Sequence, residues 1–524
     1  MSNSHSRRSF IQGGATAALL LAARGKALAK QGLQLSAAQK FSFATLKAEA
    51  RKLAQKPHQA APPRANAILD KIDYDAWGKI TFNTDAAPYS SEDGQFPVTF
   101  FHLGMYFKKP VAMYLVDGGS ARAVIYSPDL FHMPADSVAH QLPQGAGFAG
   151  FRLQEKRGGS YDWRQNDWVA FLGAAYFRAI GELHQYGLSA RGVAVDVAVA
   201  GQPEEFPDFT RFYIEETANS PSVTVYALLE GPSIVGAYQF TLTRGAGVVM
   251  DIDHELHLRA DVSRLGLAPL TSMYWFSETA KPKAADWRPE VHDSDGLALW
   301  TGAGERIWRP LNNPPQTTVS AFADNRPRGF GLLQRDRNFD HYLDGVHYEL
   351  RPSLWVEPKG DWGKGAVQLV EIPTDDEIHD NIVAHWVADE PARKGDVIAR
   401  AYRLHWLAGE PYPSPLATCV ATRLGNGGVP GQPRPKGVRK FLIEFQGGPL
   451  EHLAFGEKPE AILSASRGAF SYVFTEAVPD GVAGHWRAQF DLTVEAGAPV
   501  EMRCYLRLAD KVLSETWAFQ YHVF

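Results

Sequence analysis

The chain is poor in cysteine, with only Cys419 and Cys504 among its 524 residues. Two cysteines cannot form the disulfide framework of a small secreted scaffold, and no cysteine–histidine spacing matches a zinc site. Long basic runs are also missing, and 53 Lys+Arg against 58 Asp+Glu leave a net charge of −5. This balance argues against a nucleic-acid-binding protein, which would carry clustered positive charge. Beyond the N-terminal segment no run of about 18 apolar residues occurs, so we expect a protein that is not embedded in a membrane.

Aromatic residues are abundant, with 13 Trp, 19 Tyr and 29 Phe beside 47 Gly and 34 Pro. Hydrophobic residues make up 45% of the chain and charged residues 21%, which is ordinary for a globular protein with a large core. Aromatic side chains favour β-strands, so most of them are expected in a β-core. The length is typical of about two to four domains.

The first 29 residues have the order of an export signal. Arg7 and Arg8 precede an uncharged stretch over residues 13–23, and Ala27-Leu28-Ala29 forms a small-x-small cleavage site. The apolar stretch is too short and too rich in Gly and Ala to span a bilayer as a stable helix. The arginine pair predicts a twin-arginine signal peptide over residues 1–29 and export to the periplasm.

Hydrophobic periodicity predicts few helices and many strands. Helical spacing of apolar residues indicates a helix over 41–55, and a second helix candidate covers Phe171 to Tyr186, ended by Gly187. Short strands are predicted over 193–200, 210–215, 223–229, 238–242 and 248–258. Strands without alternating helices favour antiparallel sandwiches over a parallel α/β sheet.

A segment rich in Gly and Pro, Gly425–Gly437, is the clearest candidate linker. After it, apolar and polar residues alternate in three runs, which predicts half-buried strands of a small immunoglobulin-like sandwich. We therefore predict a large domain over residues 38–424, a linker over 425–437 and a sandwich over 438–524. Cys504 falls on the apolar side of its strand, so we expect a buried free thiol.

The sequence contains no complete motif for metal or phosphate binding. His254 and His257 lie three apart on a predicted strand, where they point to opposite faces and cannot bind one ion. Residues 336–347 begin like a calcium loop, but His341 replaces the required Gly and His347 the final Glu. Phosphate-loop, GxSxG and HExxH patterns do not occur. The sequence predicts no metal and no cofactor.

Between Trp287 and Trp386 the chain becomes dense in carboxylates, arginines and aromatic residues. Cleavage of a glycosidic bond needs a protonated carboxyl group at the leaving oxygen and a second carboxylate that activates water or forms a sugar adduct. Aromatic rings offer flat faces to sugar C–H groups. We interpret this segment as a candidate glycan site, although any single acid in it is more often a turn cap or a surface ion-pair partner.

Three strings in this segment carry a resemblance to a known family. They are EVHDSDGLALWTGAGERIWRPLNNPP (290–315), GFGLLQRDRNFDHY (329–342), and RPSLWVEPKGDWGKGAVQLVEIPT (351–374) with DNIVAHW (380–386). They resemble the periplasmic glucan biosynthesis proteins G and D, which act in making osmoregulated periplasmic glucans, and the twin-arginine signal favours the D type. The resemblance extends from the N-terminal helix to the end of the chain. It implies a mainly β fold, with a large N-terminal β-sandwich like galactose mutarotase and a C-terminal immunoglobulin-like β-sandwich.

The resemblance also implies chemistry, namely an anomer-inverting glycoside hydrolase that acts on β-1,2-glucan. The general acid maps to Asp380 in DNIVAHW, with Asp375, Asp376 and Glu377 close enough to leave the register open. The base maps to Asp293, with Asp295 as its rival.

In this family the base is thought to reach the attacking water through a relay, and Tyr348 is a candidate member of it. The substrate-binding residues predicted on the same strings are Trp300, Arg309, Arg335, Asp336, Tyr342, Tyr348, Trp355, Glu377 and Trp386.

Two other functions remain open at this stage. The same acids would support an inverting transglycosylase or cyclising enzyme if a sugar hydroxyl replaced water as the acceptor. Alternatively, the protein is a non-catalytic glucan-binding scaffold for the membrane glucan synthase. The predicted partner in each case is a β-1,2-glucan oligo- or polysaccharide.

Overall fold

The computed structural model describes residues 32–59, 65–90, 95–217, 220–280 and 286–523, and the predicted signal peptide lies outside them. The α-helices are α1 (Phe43–Ala54), α2 (Asn66–Leu69) and α3 (Tyr74–Gly78). Single turns of 3-10 helix lie at Thr84–Ala86, Pro128–Leu130, Val138–Gln141, Phe339–His341, Tyr348–Leu350 and Gly448–His452. Within the described residues, no helix is both long enough and apolar enough to cross a lipid bilayer.

Strands make up most of the regular structure before residue 408. In chain order they are β1 (Gln34–Leu35), β2 (Gln39–Lys40), β3 (Thr81–Phe82), β4 (Val98–Phe101), β5 (Ala112–Asp117), β6 (Ser120–Ile125), β7 (Phe131–His132), β8 (Gly150–Gln154), β9 (Asp167–Leu172), β10 (Tyr176–Ala179), β11 (Ser189–Arg191), β12 (Ala194–Val195), β13 (Asp208–Glu216), β14 (Ser222–Glu230), β15 (Ile234–Arg244), β16 (Val248–Leu258), β17 (Leu265–Ser272), β18 (Tyr274–Phe276), β19 (Val291–His292), β20 (Gly296–Trp300), β21 (Arg306–Pro310), β22 (Thr318–Asn325), β23 (Gly329–Leu333), β24 (Ser353–Lys359), β25 (Lys364–Glu371), β26 (Ile382–Ala388) and β27 (Val397–Leu407).

The remaining strands belong to the C-terminal part of the chain. They are β28 (Thr418–Asn426), β29 (Val438–Gln446), β30 (Glu460–Ala465), β31 (Ala469–Ala477), β32 (His485–Thr493), β33 (Val500–Leu508), β34 (Lys511–Val512) and β35 (Thr516–Tyr521).

Two large sheets form the N-terminal sandwich. One runs in the order β6-β5-β13-β14-β15-β16-β27-β24-β23-β20-β21, with β5 and β13 parallel and the other pairs antiparallel. The other runs β22-β25-β26-β17-β11-β10-β9-β8-β4. Aromatic rings join the sheets across the core, since Phe171 and Phe177 of the second each lie 5.3 Å from Phe240 of the first. Burial of such rings is the main source of stability in a sandwich of this kind.

Helix α1 confirms the predicted N-terminal helix. Ser42 caps it, since its hydroxyl oxygen accepts a hydrogen bond from the Thr45 N–H at 3.2 Å while its own N–H donates to the Thr45 hydroxyl at 3.0 Å. Such a reciprocal cap satisfies two N–H groups that the helix cannot pair itself. Leu46 and Ala50 are buried on the outer face of the first sheet. The strands predicted between residues 210 and 258 are confirmed as β13 to β16.

The helix predicted over Phe171 to Tyr186 is wrong. The segment instead forms the end of β9, a turn and β10, with Phe171 opposite Phe177. Gly173 lies in the turn at φ +77°, a left-handed conformation that Gly adopts readily. A helix would place these two rings on different faces, whereas the hairpin pairing buries both on the same side of the sheet.

The C-terminal part is a second sandwich, and its first sheet has the order β28-β29-β32-β31. Its partner sheet contains β30, β33, β34 and β35. Phe441, Phe490, Cys504 and Trp517 are fully buried between them, so the prediction of a buried Cys504 thiol is confirmed. The mainly β architecture with two sandwiches is confirmed as well.

The predicted linker Gly425–Gly437 requires a correction. β28 pairs with β29 throughout, down to Asn426 opposite Arg439, so this segment closes a hairpin inside the C-terminal sheet. The chain therefore enters the second sandwich before Thr418. Gly and Pro mark a long hairpin loop as well as a linker, which is why composition alone misplaced the boundary.

The two sandwiches share main-chain hydrogen bonds. β21 of the first pairs in parallel with β35 of the second, with Trp308 opposite Trp517. Arg335 and Glu515 add an ion pair across the same junction at 2.6 Å. The C-terminal sandwich thus directly supports the segment that carries the acids of strings 290–315 and 329–342.

Candidate active site

Two aspartates occupy neighbouring strand ends. Asp293 follows β19, and its N–H donates to the Met273 carbonyl at 2.8 Å. Asp380 precedes β26, beside Asn381, whose side chain is bonded to the Tyr274 N–H at 2.8 Å and to the Tyr274 carbonyl at 2.9 Å. These buried bonds fix the start of β26, so the backbone that carries Asp380 is held in place.

The two carboxyl groups lie close enough to interact electrostatically, and we refer to the surface around them as the cleft. Burial raises the pKa of Asp380, and repulsion from Asp293 raises it further. Burial also raises the pKa of Asp293, while the charge and hydrogen bond of Arg351 oppose this rise. Among the described residues, none donates a hydrogen bond to the Asp380 carboxylate. The Asp380 side chain is open to solvent although protein surrounds it, as expected for a group inside a cleft.

Two arginines complete the charge distribution around this pair. Arg178 on β10 and Arg191 on β11 each lower the pKa of Asp380, and Arg178 also lowers that of Asp293. Arg191 is fixed by Glu204 at 2.6 Å and by the Thr271 hydroxyl at 2.7 Å. Neither arginine was predictable from the sequence, because Arg178 lies in the segment wrongly predicted to be a helix and Arg191 lies in no recognisable motif.

A network centred on Arg288 forms the next part of the cleft. The Arg288 guanidinium is bonded to Asp286 at 2.9 Å, to Glu377 at 2.8 Å and to Asp344. Glu377 also accepts the hydroxyl hydrogen bond of Tyr348. We refer to Arg288 with Asp286, Asp344 and Glu377 as the Arg288 network.

Tyr348 connects this network to the aspartate pair. The Arg351 guanidinium lies 4.3 Å from the centroid of the Tyr348 ring and is bonded to Asp293. Burial, the hydrogen bond to Glu377 and the negative charge of Asp293 raise the pKa of Tyr348, while Arg351 opposes this. Asp293, Arg351, Tyr348 and Glu377 are therefore contiguous. Of the predicted substrate-binding residues, Glu377 and Tyr348 belong to this group, with the Tyr348 ring buried beneath it.

The rival acids near Asp380 have other positions. Asp375 and Asp376 are exposed, and Asp376 accepts a hydrogen bond from the Ile378 N–H at 3.2 Å, as in a turn. Glu377 belongs to the Arg288 network. The geometry therefore favours Asp380 as the carboxyl group that lies opposite Asp293.

Asp295, two residues after Asp293, has hydrogen-bonding and ionic partners of its own. Its carboxylate accepts N–H bonds from Arg335 and, at 2.7 Å, from Asp336, and lies 3.4 Å from His292 Nδ1. Burial opposes the charged form of His292, yet its hydrogen bond to Glu290 and the charge of Asp295 raise its pKa to about 9. Asp295 is thus occupied in holding the chain around the cleft.

Most of the other predicted substrate-binding residues lie outside the cleft. Trp355, Trp386 and Tyr342 are buried in core clusters. Trp300 lies half-buried with the Arg306 and Arg328 guanidinium groups 3.8 Å and 5.2 Å from its ring centroid. Sequence spacing could not show which aromatic residues are buried, because core aromatic residues and sugar-binding ones look alike in a single chain.

The predicted polar contacts Arg309, Arg335 and Asp336 also have structural partners. Arg309 is buried in an ion pair with Glu371 at 2.9 Å. Arg335 pairs with Glu515 at the junction of the sandwiches and stacks on Trp308, 3.7 Å from the ring centroid. Asp336 is hydrogen-bonded to His341.

We predict that Arg309→Met lowers the free energy of unfolding by about 3–5 kcal/mol, because it leaves the buried Glu371 carboxylate without its partner. Urea unfolding followed by tryptophan fluorescence measures this loss. Glucan binding by the folded variant should stay at the wild-type level. A variant that is as stable as wild type but binds glucan weakly would restore Arg309 as a substrate contact.

One group of side chains has the spacing of metal ligands. Among the described residues, Glu290, Asp336 and His341 present ligand atoms within 4.8 Å of one another. Their short contacts are already explained by ionic hydrogen bonds, since Asp336 pairs with His341 and Glu290 with His292.

The fold and cleft define a class of protein: a two-sandwich β protein with a pair of carboxyl groups among arginines and aromatic rings. Comparison with known proteins identifies the family. Residues 41–521 match the family model "Periplasmic glucan biosynthesis protein, MdoG". The chain belongs to this periplasmic glucan biosynthesis family, as its sequence motifs predicted.

Individual relatives match over nearly their whole length. Glucans biosynthesis protein D 2 of Ralstonia nicotianae is 63% identical, with 99% of this chain and 98% of the relative covered. Glucans biosynthesis protein D of Stenotrophomonas maltophilia is 47% identical over 98% and 97% of the two chains. That of Xanthomonas axonopodis pv. citri is 46% identical over 98% of each. The family assigns the chain to glucan biosynthesis in the periplasm.

Proposed function

We propose that this protein is an anomer-inverting glycoside hydrolase that acts on β-1,2-glucan during the synthesis of periplasmic glucans. The observation that carries the proposal is the unequal environment of two aspartates in one cleft. Burial raises the pKa of both carboxyl groups, but Asp293 has an arginine bonded to its carboxylate, which opposes the rise. Asp380 has no hydrogen-bond donor among the described residues, and repulsion from Asp293 raises its pKa further. Pairs of acids whose surroundings push their pKa values apart are suited to opposite roles in acid–base catalysis.

Asp380 takes the part of the general acid. Its carboxyl group must be protonated before the reaction, and burial together with the charge of Asp293 favours that form. As the glycosidic bond breaks, the proton passes to the leaving oxygen, which would otherwise depart as an unstable alkoxide. The carboxylate left on Asp380 is then stabilised by Arg178 and Arg191.

Asp293 takes the part of the general base. Arg351 favours its ionised form, which must accept a proton from the attacking water. Tyr348 lies against Arg351 and its hydroxyl donates to Glu377, so its part in the relay is to position these two charged groups. In a single displacement the water attacks the face opposite the leaving group, so the anomeric configuration inverts.

We predict that Arg178→Met moves both limbs of the pH–activity profile to higher pH. Removing this positive charge raises the pKa of the base, which must be ionised, and also that of the acid, which must be protonated. Activity is therefore lost at a higher pH on the acidic side and kept to a higher pH on the alkaline side. The profile of kcat/KM measures both shifts.

Arg178→Lys is the matched control, since it keeps the charge at the same strand position. Its profile should stay close to that of wild type. If Arg178→Met lowers activity equally at every pH, Arg178 only binds substrate, and the proposed tuning of the acids is refuted.

We also propose that residues 1–29 direct export by the twin-arginine pathway, on the basis of Arg7 and Arg8 and the cleavage pattern. Replacement of both arginines by lysine should leave the precursor uncleaved in the cytoplasm. Wild-type processing of that variant would contradict the assignment.

The hydrolase proposal is tested by incubation of the purified protein with linear β-1,2-glucan and analysis of chain length by thin-layer chromatography. Progressive shortening of the glucan supports hydrolysis. Products that lack a reducing end would replace it with a cyclising transglycosylase. Binding without any change in chain length would replace it with a glucan-binding scaffold for the membrane synthase.

A further inference from the structure

One tryptophan differs from all the others in this chain. All 13 tryptophans lie within the described residues, and Trp287 alone is exposed, at 71%. A large aromatic ring that remains in water forgoes the stabilisation of burial, and such rings are common where a ligand or partner covers them. Trp287 also lies outside the set of substrate contacts that the sequence predicted.

Trp287 is attached to the cleft through the residue that follows it. The Arg288 guanidinium carbon lies 5.8 Å from the Trp287 ring centroid and belongs to the Arg288 network. Through Glu377 this network contacts Tyr348, and through Arg351 it reaches Asp293. The ring therefore lies at one end of the chain of contacts that leads to the aspartate pair.

The Arg288 network also fixes the backbone on which Trp287 stands. Asp286 accepts hydrogen bonds from both the Arg288 N–H and its side chain at 2.9 Å, so the residues on either side of Trp287 are tied together. Arg288 itself is buried, and its bonds to Asp344 and Glu377 anchor it to two other loops. A ring on a preorganised backbone loses little entropy when it binds a ligand.

Other exposed apolar side chains adjoin the same network. Ile378, which follows Glu377, is 77% exposed, while Leu343 and Val346 flank Asp344 at 43% and 45%. These exposed side chains belong to the loops that the Arg288 network joins to the segment of Trp287. A flat aromatic ring beside hydrogen-bonding groups is suited to a sugar ring, which presents C–H groups on its faces and hydroxyls at its edge.

We propose that Trp287 is a stacking platform for a glucose ring of the glucan chain, distant from the bond that is cleaved. The proposal rests on the proposed function, because it takes β-1,2-glucan as the ligand of the cleft. The contacts from Trp287 to Asp293 pass through four side chains, those of Arg288, Glu377, Tyr348 and Arg351. We therefore expect short oligosaccharides at the aspartate pair not to reach Trp287. Trp287 therefore selects for longer chains.

Binding is measured on the full-length mature chain with Asp380→Asn, which prevents turnover, using linear β-1,2-glucans of several lengths in isothermal titration calorimetry. Trp287→Ala should weaken binding of long glucans about five- to tenfold and leave that of the shortest bound glucan unchanged. Trp287→Phe should restore most of the loss, since it keeps a ring face. Tyr74→Ala is the matched control, because Tyr74 is also 71% exposed but lies on α3, and it should bind as the parent does.

Acrylamide quenching of tryptophan fluorescence gives an independent readout. Long glucan should protect the most quenchable tryptophan of the Asp380→Asn protein, and Trp287→Phe should abolish this protection. Undiminished binding of long glucans by Trp287→Ala would overturn the proposal, as would equal weakening at every length. If the Asp380→Asn parent and the wild type bind no β-1,2-glucan of any length, the proposed function itself fails, and that result is separate from any effect of Trp287.

Discussion

Asp380→Asn is expected to lower kcat on β-1,2-glucan by about 10²–10⁴-fold while leaving the fold and glucan binding nearly intact. The amide keeps the size of the carboxyl group but has no acidic proton to give. A sugar alkoxide is a poor leaving group, so the decrease in kcat on loss of the acid should lie near the upper end of this range. Initial rates of reducing-end formation measure the effect, and calorimetry confirms that the glucan still binds.

A substrate with a better leaving group provides a control for this variant. A β-linked sophorosyl fluoride needs no protonation at the leaving atom, so Asp380→Asn should cleave it far better than it cleaves the glucan, relative to wild type. Asp376→Asn is the matched structural control, since Asp376 is an exposed turn residue in the same loop. If Asp376→Asn were inactive and Asp380→Asn active, the acid would have been assigned to the wrong residue.

Asp293→Asn is expected to cause a loss of similar size, about 10²–10⁴-fold in kcat, through absence of the base. It also removes the negative charge that raises the pKa of Asp380. Any residual activity should therefore decline at a lower pH on the alkaline side than in wild type. This shift distinguishes a residue that faces Asp380 from one that merely supports the fold.

Asp295→Asn separates the two candidate bases. The amide oxygen of the introduced side chain can still accept the N–H bonds of Arg335 and Asp336, so we expect the variant to fold and to keep much of its turnover. The charge of Asp295 also helps to raise the pKa of His292 to about 9, and its loss should lower this pKa. A raised pKa of His292 stabilises the fold fully below the unfolded value of about 6.5, and this stabilisation is lost as the pH rises through 9. The variant should therefore be destabilised most in acid and neutral buffer. A larger loss of turnover in Asp295→Asn than in Asp293→Asn would reverse the choice of base.

The fold was largely predictable where local pattern and tertiary packing agree. Helix α1 has a capping box and a regular apolar face, and the strands between residues 210 and 258 alternate clearly. The hairpin around Gly173 was not predictable, because an apolar run does not by itself distinguish a buried helix from short buried strands. The Gly425–Gly437 loop was misinterpreted because composition marks a turn without saying which strands it joins.

The candidate site was predictable only in part. Family motifs led to Asp380, Asp293, Tyr348 and Glu377, which the structure brings to one cleft. Arg178 and Arg191 come from a distant part of the chain, and pairing of β10 with β11 brings them together. No local signal in a single sequence reports such a long-range contact.

The residue type alone also does not predict whether a side chain is buried. Trp355 and Trp386 lie in the core whereas Trp287 lies in solvent, although all three occur in the same aromatic-rich segment. Arginine is equally ambiguous, since Arg309 neutralises a buried carboxylate and Arg351 holds a cleft aspartate. Only the three-dimensional contacts separate residues that stabilise the fold from those that face the substrate.

Proton NMR of a fresh digest of linear β-1,2-glucan tests the central claim most directly. The α-anomeric signal of the new reducing end should appear first and then decay toward the equilibrium mixture by mutarotation, because a single displacement inverts a β-linkage. Wild-type protein should give this signal, and Asp380→Asn should give none over the same time. Initial appearance of the β anomer would contradict the inverting mechanism with Asp380 as acid and Asp293 as base.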